Sequence, residues 1–270
     1  MNTRRIIRKL RALRHQYLTI GLKESAYFFC LHKTASSLFD HYLLKHVCGL
    51  LHKSYATSIY LNHTVPNQLD FQSRGYVYGP VRISAEPDLP VYTKLVKPCT
   101  ELNFIKDKKL LIMIRDPRDI IVSSYYSFGF NHRLSPNPVI ARFQQNRREQ
   151  IQQKSIDEYA IESAITHLEH FNTIQKLLDQ CPNAVLLRYE DLIDNFEHFA
   201  NRLQTHLKLS QKTLTELYHK SRPRDEEDLS AHKRSGMVGD YKNKLKPETI
   251  HVLNQHFQDH LKRHGYASIA

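Results

Sequence analysis

The 270-residue chain contains no tryptophan, only 8 glycines and only 4 cysteines. No segment reaches the roughly 18 consecutive apolar residues that a transmembrane helix needs. The cysteines form no CxxC pair, which argues against a zinc or redox motif and favours free thiols. The 17 histidines form no HExxH pattern, so we predict no metal site. The glycine-rich phosphate loop GxxxxGK[ST] is also missing.

Basic residues outnumber acidic ones by 39 to 27, which leaves a net charge of +12. Such an excess attracts anions, so it favours nucleotides, nucleic acid, acidic glycans or an acidic membrane face as partners. With 41% hydrophobic residues, the chain can bury a full core. No linker or repeat divides it, and we predict a single domain over residues 1–270.

Residues 1–20 are strongly basic, and Ile6, Ile7, Leu10 and Leu13 recur there at helical spacing. This pattern predicts a basic N-terminal helix, either frayed in solvent or lying against an anionic membrane as a peripheral contact. The segment lacks the apolar stretch of a secretory signal, so we expect a cytoplasmic protein. Nothing in the pattern predicts an oligomeric state.

Strand-like and helix-like segments alternate, which predicts an α/β fold with a central parallel sheet flanked by helices. Strands are predicted at 27–31, 54–61, 76–84, 110–114 and 184–187. Helices are predicted at 36–48, 117–128, 156–180, 194–207, 211–220 and from 247 to 265. The helix over 156–180 should bury one apolar face: Ile161, Ile165, Leu168, Phe171, Ile174 and Leu178. Residues 129–153, which include two prolines, are predicted to form a loop.

The first motif, CLHKTASSLFDHY, covers residues 30–42. It follows an apolar strand and leads into a helix, and its turn contains Lys33, Thr34, Ser36 and Ser37. A strand followed by a turn with basic and hydroxyl side chains and then by a helix is the layout of an anion-binding loop. Unpaired N–H groups and the positive end of the helix dipole face the turn in such a loop. We therefore predict a phosphate-binding loop after the first strand.

Three further motifs follow strands or contain closely spaced glycines. RDPRDIIVSSYY starts at Arg115 and contains Ser123. The guanidinium of Arg115 and the hydroxyl of Ser123 suit a phosphate dianion. RYED contains Tyr189, whose ring can stack on a base. RSGMVGDYKN runs from Arg234 and holds Gly236 and Gly239, which suggest a backbone that approaches a ligand.

Taken together and in this order, the four motifs resemble those of sulfotransferases that use 3′-phosphoadenosine 5′-phosphosulfate (PAPS). HKTASS is similar to the loop for the 5′-phosphosulfate, and RDPRDIIVSSYYS to the motif for the 3′-phosphate. RYED is similar to the segment whose tyrosine meets adenine, and RSGMVGDYKN to the C-terminal motif of cytosolic-type members. The resemblance spans residues 27–243 and implies transfer of a sulfuryl group from PAPS to an acceptor hydroxyl or amine, with PAP as product and no metal.

The resemblance also implies roles for individual residues. Lys33 would contact the bridging oxygen, and the turn that follows it would hold the 5′-phosphate: Thr34, Ala35, Ser36, Ser37 and Leu38. Arg115 and Ser123 would hold the 3′-phosphate, which Arg234, Ser235 and Gly236 would close over. Three positions depart from the family pattern. Ala35 stands where a glycine is common, Leu38 where an adenine-stacking tryptophan is frequent, and Ser235 where a lysine is usual.

The reaction needs a base that takes the acceptor's proton. The strand-end histidine of cytosolic members has no clear counterpart in YGPVRISAE, residues 78–86. The candidates are His63, then Glu86, then His132, and each can equally be an ordinary surface group.

The acceptor itself is not encoded in the motifs. Basic residues within 129–153 favour a large or anionic acceptor, such as a glycan, although a lipid or small alcohol fits as well. Two other function classes stay open. One is a P-loop-type small-substrate kinase, opposed by the missing GxxxxGK[ST] and the lack of a magnesium motif. The other is a basic nucleotide- or nucleic-acid-binding module, opposed by dispersed charges, and we predict no nucleic-acid partner.

Overall fold

The structure is a computed structural model that describes residues 23–54, 72–82, 107–223 and 236–266. The candidate N-terminal helix over residues 1–20 lies outside these residues, as does nearly all of the strand predicted at 54–61.

A five-stranded sheet forms the centre of the protein, in the order β2-β3-β1-β4-β5. Every neighbouring pair is parallel. The strands are β1 Ala26–Cys30, β2 Leu51–Lys53, β3 Tyr76–Arg82, β4 Lys109–Ile114 and β5 Val185–Arg188. The predicted α/β fold with a central parallel sheet is confirmed.

The two central strands, β1 and β4, are buried on both faces, as their continuous apolar runs require. Tyr27 and Phe29 pack into one core cluster, while the alternating Phe28 and Cys30 pack into the other. This alternation follows from the two-residue period of a strand. The sheet therefore separates two apolar layers, each covered by helices.

Ten α-helices flank the sheet in the described part of the chain. They are α1 Ser36–His41, α2 Pro117–Tyr126, α3 Pro138–Gln152, α4 Ile156–Gln180, α5 Tyr189–Asp194, α6 Phe196–Gln204, α7 Gln211–Ser221, α8 Tyr241–Lys244, α9 Pro247–His256 and α10 Gln258–Arg263. A 3-10 turn over Leu43–His46 follows α1, and a π-helical turn over Ser127–Asn131 follows α2.

The loop predicted at 129–153 is wrong, because most of it forms helix α3. Asn137 caps this helix by accepting hydrogen bonds from the N–H groups of Val139 at 2.7 Å and Ile140 at 3.3 Å. Pro138 occupies the first helical position, where its missing N–H costs nothing. The residues that suggested a loop are in fact the start signals of a helix with a narrow apolar face.

Helix α4 has the predicted bounds, but only part of its predicted apolar face is buried. Ile161 and Ile165 are 44% and 62% exposed. Phe171 and Ile174 are buried as predicted, and Leu168 and Leu178 are partly buried against the core. The core side also includes Ala160, Ala164 and His167, which were not predicted. α4 packs against α2 and α9, and Ala160 and Ala164 are fully buried in the core cluster that these helices share.

Two other predicted helices are interrupted. The helix predicted at 36–48 ends at His41, and the last helix breaks at Phe257 before it continues as α10. Phe257 is itself buried, as predicted for its face. The chain after α10 turns at Gly265, whose φ of 68° is left-handed.

Three of the four cysteines lie in the described residues, and Cys30, Cys48 and Cys181 are free. Within the same residues, no group of three or more metal-ligating side chains is present. Among the described helices, none is both long and apolar enough to cross a membrane.

Candidate active site

Three of the motifs meet at one edge of the sheet, because parallel strands end on the same side. The turn after β1 carries Lys33, β4 is followed by Arg115, and Tyr189 follows β5 directly. All three residues line one cavity of about 200 Å³, which we call the strand-end cavity. Further predicted site residues also line it: Ala35, Ser36, Ser37, Leu38, Ser123 and Gly236.

The turn between β1 and α1 has a backbone shape that glycine would normally supply. Lys33 has a φ of 64° and Ala35 a φ of 59°, so both are left-handed. Each such residue costs roughly 1–2 kcal/mol when it is not glycine. The buried hydroxyl of Thr34 donates to the Leu31 carbonyl at 2.7 Å and supports the turn from within. The side chain of Thr34 therefore braces the loop, while Lys33 lines the cavity.

A second cation, Arg82, lies beside this turn. Its Nε donates to the hydroxyl of Ser36 at 3.1 Å, and its side chain lines the strand-end cavity. Arg82 ends β3, so the same sheet edge places it there. It is absent from the predicted site residues, although its position at a strand end was the signal that could have revealed it.

Arg115 is almost fully buried and held by groups from three segments. Its guanidinium lies 4.3 Å from the ring centre of Tyr189, donates to the Met237 carbonyl at 2.8 Å, and pairs with Asp119 at 3.4 Å. Burial by itself lowers the pKa of Arg115, but Asp119 and its neighbours outweigh that effect and raise it above the ordinary value. Arg115 is thus a permanent, oriented cation in the cavity wall.

Tyr189 lines the cavity as predicted, with one ring face covered by Arg115. Its hydroxyl donates to the Gly236 carbonyl at 2.7 Å, which ties the RYED motif to the C-terminal motif. Gly236 and Gly239 have φ values of 79° and 76°, so this segment needs left-handed backbone at both glycines. Arg234 and Ser235 lie outside the described residues.

A protein-family model described as a sulfotransferase domain matches residues 79–265, more than half of the chain. The matched segment contains Arg115, Ser123 and Tyr189. The chain belongs to the sulfotransferase family. The turn that carries Lys33 precedes the matched segment, so its place in the site is given by the geometry above.

The crystal structure of mouse sulfotransferase SULT7A1 complexed with PAP has a similar fold to this sulfotransferase. The TM-score is 0.54 at 12% sequence identity, and the match covers 88% of this chain and 84% of that chain. A search of curated proteins gave no significant match.

Asp119 joins several segments around the cavity of this sulfotransferase, although it is not among the predicted site residues. Besides Arg115, its carboxylate accepts hydrogen bonds from the N–H groups of Gly239 at 2.8 Å and Tyr241 at 3.0 Å. One buried carboxylate therefore joins α2 to the C-terminal motif. Its position one turn after Arg115 was the available sequence signal.

Arg118, three residues after Arg115, has a purely structural position. It is 1% exposed and bonds to both carboxylate oxygens of Asp116, at 3.0 Å and 2.6 Å. Its Nη1 donates to Asn254 on α9 at 2.6 Å. Arg118 does not line the strand-end cavity, so of these two arginines only Arg115 contributes to the cavity wall.

Glu190, adjacent to Tyr189, is a buried acid behind the cavity wall. Its Oε1 accepts a hydrogen bond from the N–H of Asp116 at 2.9 Å. Burial raises the pKa of Glu190 to about 7, which outweighs the opposite effect of that hydrogen bond and of Arg115. Glu190 therefore changes charge near neutral pH while it supports the Asp116 turn.

Of the three predicted bases, only His132 lies in the described residues, and it lines the strand-end cavity. His63 and Glu86 lie outside them. His32, which sequence reasoning missed, also lines the cavity immediately before Lys33. Burial and then Arg82 hold the pKa of His32 well below its ordinary range, so its imidazole is neutral.

Proposed function

We propose that this sulfotransferase takes the sulfuryl group of PAPS and transfers it to a hydroxyl or amine of an acceptor. The observation that carries the proposal is the lining of the strand-end cavity, where the cations Lys33, Arg82 and Arg115 meet. PAPS is anionic at both its 3′-phosphate and its 5′-phosphosulfate, and such groups are bound by guanidinium forks, ammonium groups and hydroxyls.

The residues fit this nucleotide in one further respect. Arg115 has a buried Nε with no hydrogen-bond partner in the structure. A buried donor of this kind is costly, and a phosphate oxygen would satisfy it. We assign the 3′-phosphate to Arg115 and Ser123, as the resemblance implies, and the closure by Arg234 and Ser235 stays a prediction.

At the other end of the cavity, the turn that carries Lys33 would hold the phosphosulfate. Bound PAPS supplies a sulfur atom with a phosphate as its leaving group. Lys33 stabilises the negative charge that develops on the bridging oxygen as its bond to sulfur breaks and the acceptor's bond to sulfur forms. Ser36 and Ser37 add hydroxyl donors next to Lys33.

The acceptor's proton must pass to a base during this transfer. His132 is the predicted base that lines the cavity, so we propose it ahead of the others. His63 and Glu86 stay predictions, as does the cytoplasmic location.

Calorimetric titration with 3′,5′-adenosine bisphosphate (PAP) tests the donor assignment, with ADP as the control. We expect PAP to bind with a dissociation constant on the order of micromolar and ADP to bind at least about 30-fold more weakly, because ADP lacks the 3′-phosphate. Equal binding of the two nucleotides would contradict the proposal and favour the kinase alternative. Salt-sensitive binding of random RNA or DNA, without a PAP signal, would instead favour the nucleic-acid module.

A further inference from the structure

A second cavity of about 420 Å³ adjoins the strand-end cavity. We call it the helix cavity because α3 and α4 form most of its wall. It is lined by His32, Phe128, Phe143, Asn146, Arg147, Gln150, Tyr159, Ser163, Thr166, His167 and His170. His32 and Phe128 line both cavities.

The shared residues place the helix cavity next to the proposed transfer point. His32 directly precedes Lys33 in the chain, and the Lys33 ammonium lies 5.9 Å from the ring centre of Phe128. A ligand in the helix cavity can therefore present a group beside the residue that we assign to the leaving oxygen. A transferase needs its second substrate at such a position, since the reacting atoms must lie close together.

Arg147 is the one charged group among the described residues that line the helix cavity, since its histidines are neutral and no carboxylate contributes to the wall. Burial holds the pKa of His167 well below its ordinary value and lowers that of His170 to about 4. The described part of this wall therefore carries a positive charge, which favours an anionic ligand and disfavours a cationic one.

The Arg147 guanidinium is positioned by stacking, at 4.2 Å from the ring centre of Phe128. A stacked guanidinium carries its N–H donors around its edge, where they match the two oxygens of a carboxylate or sulfate. The same side chain contributes to the lowered pKa values of His32, His167 and His170, which shows that it lies close to all three.

The remaining lining groups suit a hydroxylated ligand. The amides of Asn146 and Gln150 and the hydroxyls of Ser163 and Thr166 both donate and accept hydrogen bonds, as sugar hydroxyls do. Phe143 and Tyr159 add aromatic surface. A cavity with apolar surface and a few polar groups of this kind is typical of a small-molecule site.

We propose that the helix cavity is the acceptor site and that it selects a hydroxylated acceptor with a negative charge, such as an acidic sugar, which Arg147 recognises. The role of this cavity as an acceptor site rests on the proposed function, but its preference for an anionic sugar is testable by binding alone.

The test uses a matched pair of ligands, p-nitrophenyl β-D-glucuronide and p-nitrophenyl β-D-glucoside, which differ in one carboxylate. Each is titrated calorimetrically into the full chain, with and without saturating PAP. We expect the glucuronide to bind at least about tenfold more tightly than the glucoside, because a charge-assisted fork is formed only with the former. The Arg147→Gln variant should reduce this ratio to about one, and Arg147→Lys should keep part of it.

Arg142→Gln provides the matched control, because Arg142 is an exposed arginine of the same helix that does not line the cavity. This variant should keep the full preference for the glucuronide. PAP affinity should be unchanged in all three variants, which separates the acceptor site from the donor site.

Three results would overturn the inference: equal binding of the two glycosides, no binding of either, or a preference that persists in Arg147→Gln. If PAP itself fails to bind, the proposed function fails. A preference for the glucuronide that depends on Arg147 and survives without nucleotide would still support an anion-selective helix cavity.

Discussion

The strand-end cavity and the helix cavity share His32 and Phe128, yet they differ in the number of cations in their walls and in how these cations are surrounded. In the first, cations are braced by buried partners, as Arg115 is by Asp119 and Tyr189. In the second, one arginine lies among neutral amides, hydroxyls and imidazoles. A charged wall whose cations are fixed by buried partners would suit a donor nucleotide that stays the same whichever acceptor is used.

The wall of the helix cavity has a different structural basis. Its residues lie along α3 and α4, whose surfaces can change without altering the ends of the strands. Asn146 and Gln150 are exposed, so substitutions there carry little cost in stability. Under the two proposals, donor binding would depend on side chains at the sheet edge, whereas acceptor choice would depend on side chains of α3 and α4.

Loss of Arg115 should have the largest effect, since it removes a braced cation from the strand-end cavity. We expect Arg115→Ala to weaken PAP binding by about 100-fold or more, because charge-assisted hydrogen bonds are worth roughly 1.5–3 kcal/mol each. The fold should survive, since Asp119 keeps the N–H donors of Gly239 and Tyr241. Calorimetry with PAP measures the effect.

Two lysine variants of the same motif sharpen this result. Arg115→Lys keeps the charge but loses the fork, so we expect PAP affinity to fall by about tenfold. Arg118→Lys lies outside the cavity and should leave PAP affinity within about threefold of the wild type. Equal losses in the two variants would mean that Arg115 acts only as a brace.

The pH dependence of stability should differ between the two cavities, beginning with Glu190 behind the strand-end cavity. Its pKa is raised from 4.5 to about 7, so the folded state disfavours the ionised form. The wild type should therefore lose stability as pH rises from about 4.5 to about 7, by roughly 3 kcal/mol from this group alone. Glu190→Gln keeps the acceptor for the Asp116 N–H and should remove that loss.

Urea unfolding of wild type and Glu190→Gln at pH 5 and pH 8 measures the difference. We expect the free energy of unfolding of the variant, relative to that of the wild type, to increase from pH 5 to pH 8. A constant difference between the two proteins would show that Glu190 is already ionised in the folded state at pH 5.

His170, in the wall of the helix cavity, should act with the opposite sign. Its pKa is lowered from 6.5 to about 4, so the folded state disfavours the protonated form. The wild type should lose stability as pH falls from about 6.5 towards 4, with a contribution from His170 of roughly 3 kcal/mol. His170→Gln should cost stability at pH 7 and less of it at pH 4.5.

Guanidinium unfolding at pH 4.5 and pH 7 compares this variant with the wild type. Exposed His251 supplies the control, because His251→Gln should show the same small effect at both pH values. If the two variants behaved alike, burial of His170 would not govern its charge.

The smallest expected effect concerns the turn after β1. Ala35 has a left-handed backbone, so Ala35→Gly should stabilise the protein by up to about 1 kcal/mol. Ala141→Gly in the interior of α3 should instead destabilise it by about 0.5–1 kcal/mol. Thermal unfolding measures both, and a loss of stability in Ala35→Gly would show that its neighbours relieve the strain.

The backbone conformation of Ala35 gives a physical reason for the glycine that the family pattern has at this position. Glycine is common at this position in the family that the motifs resemble, and the backbone at Ala35 is the one that glycine favours. Only the backbone angles show that Ala35 itself adopts the left-handed conformation.

The parallel sheet was predictable because the apolar runs of β1 and β4 and the alternation of segments depend on local order in the chain. Helix α3 was not, because its few apolar residues gave a weak period and its cap residues resembled a loop. The buried face of α4 was predicted only in part, because large aliphatic residues were favoured over Ala160, Ala164 and His167, which are also buried.

The amino-acid order alone determined the positions of the motifs, the cations that they carry and the strands that they follow, because strand burial and anion binding are local properties of residue type. Only the tertiary structure decided which residues meet. It placed Arg82 beside Ser36, joined Asp119 to the C-terminal motif and made His32 common to two cavities. These contacts join residues far apart in the chain, and their geometry depends on the packing of the whole sheet edge.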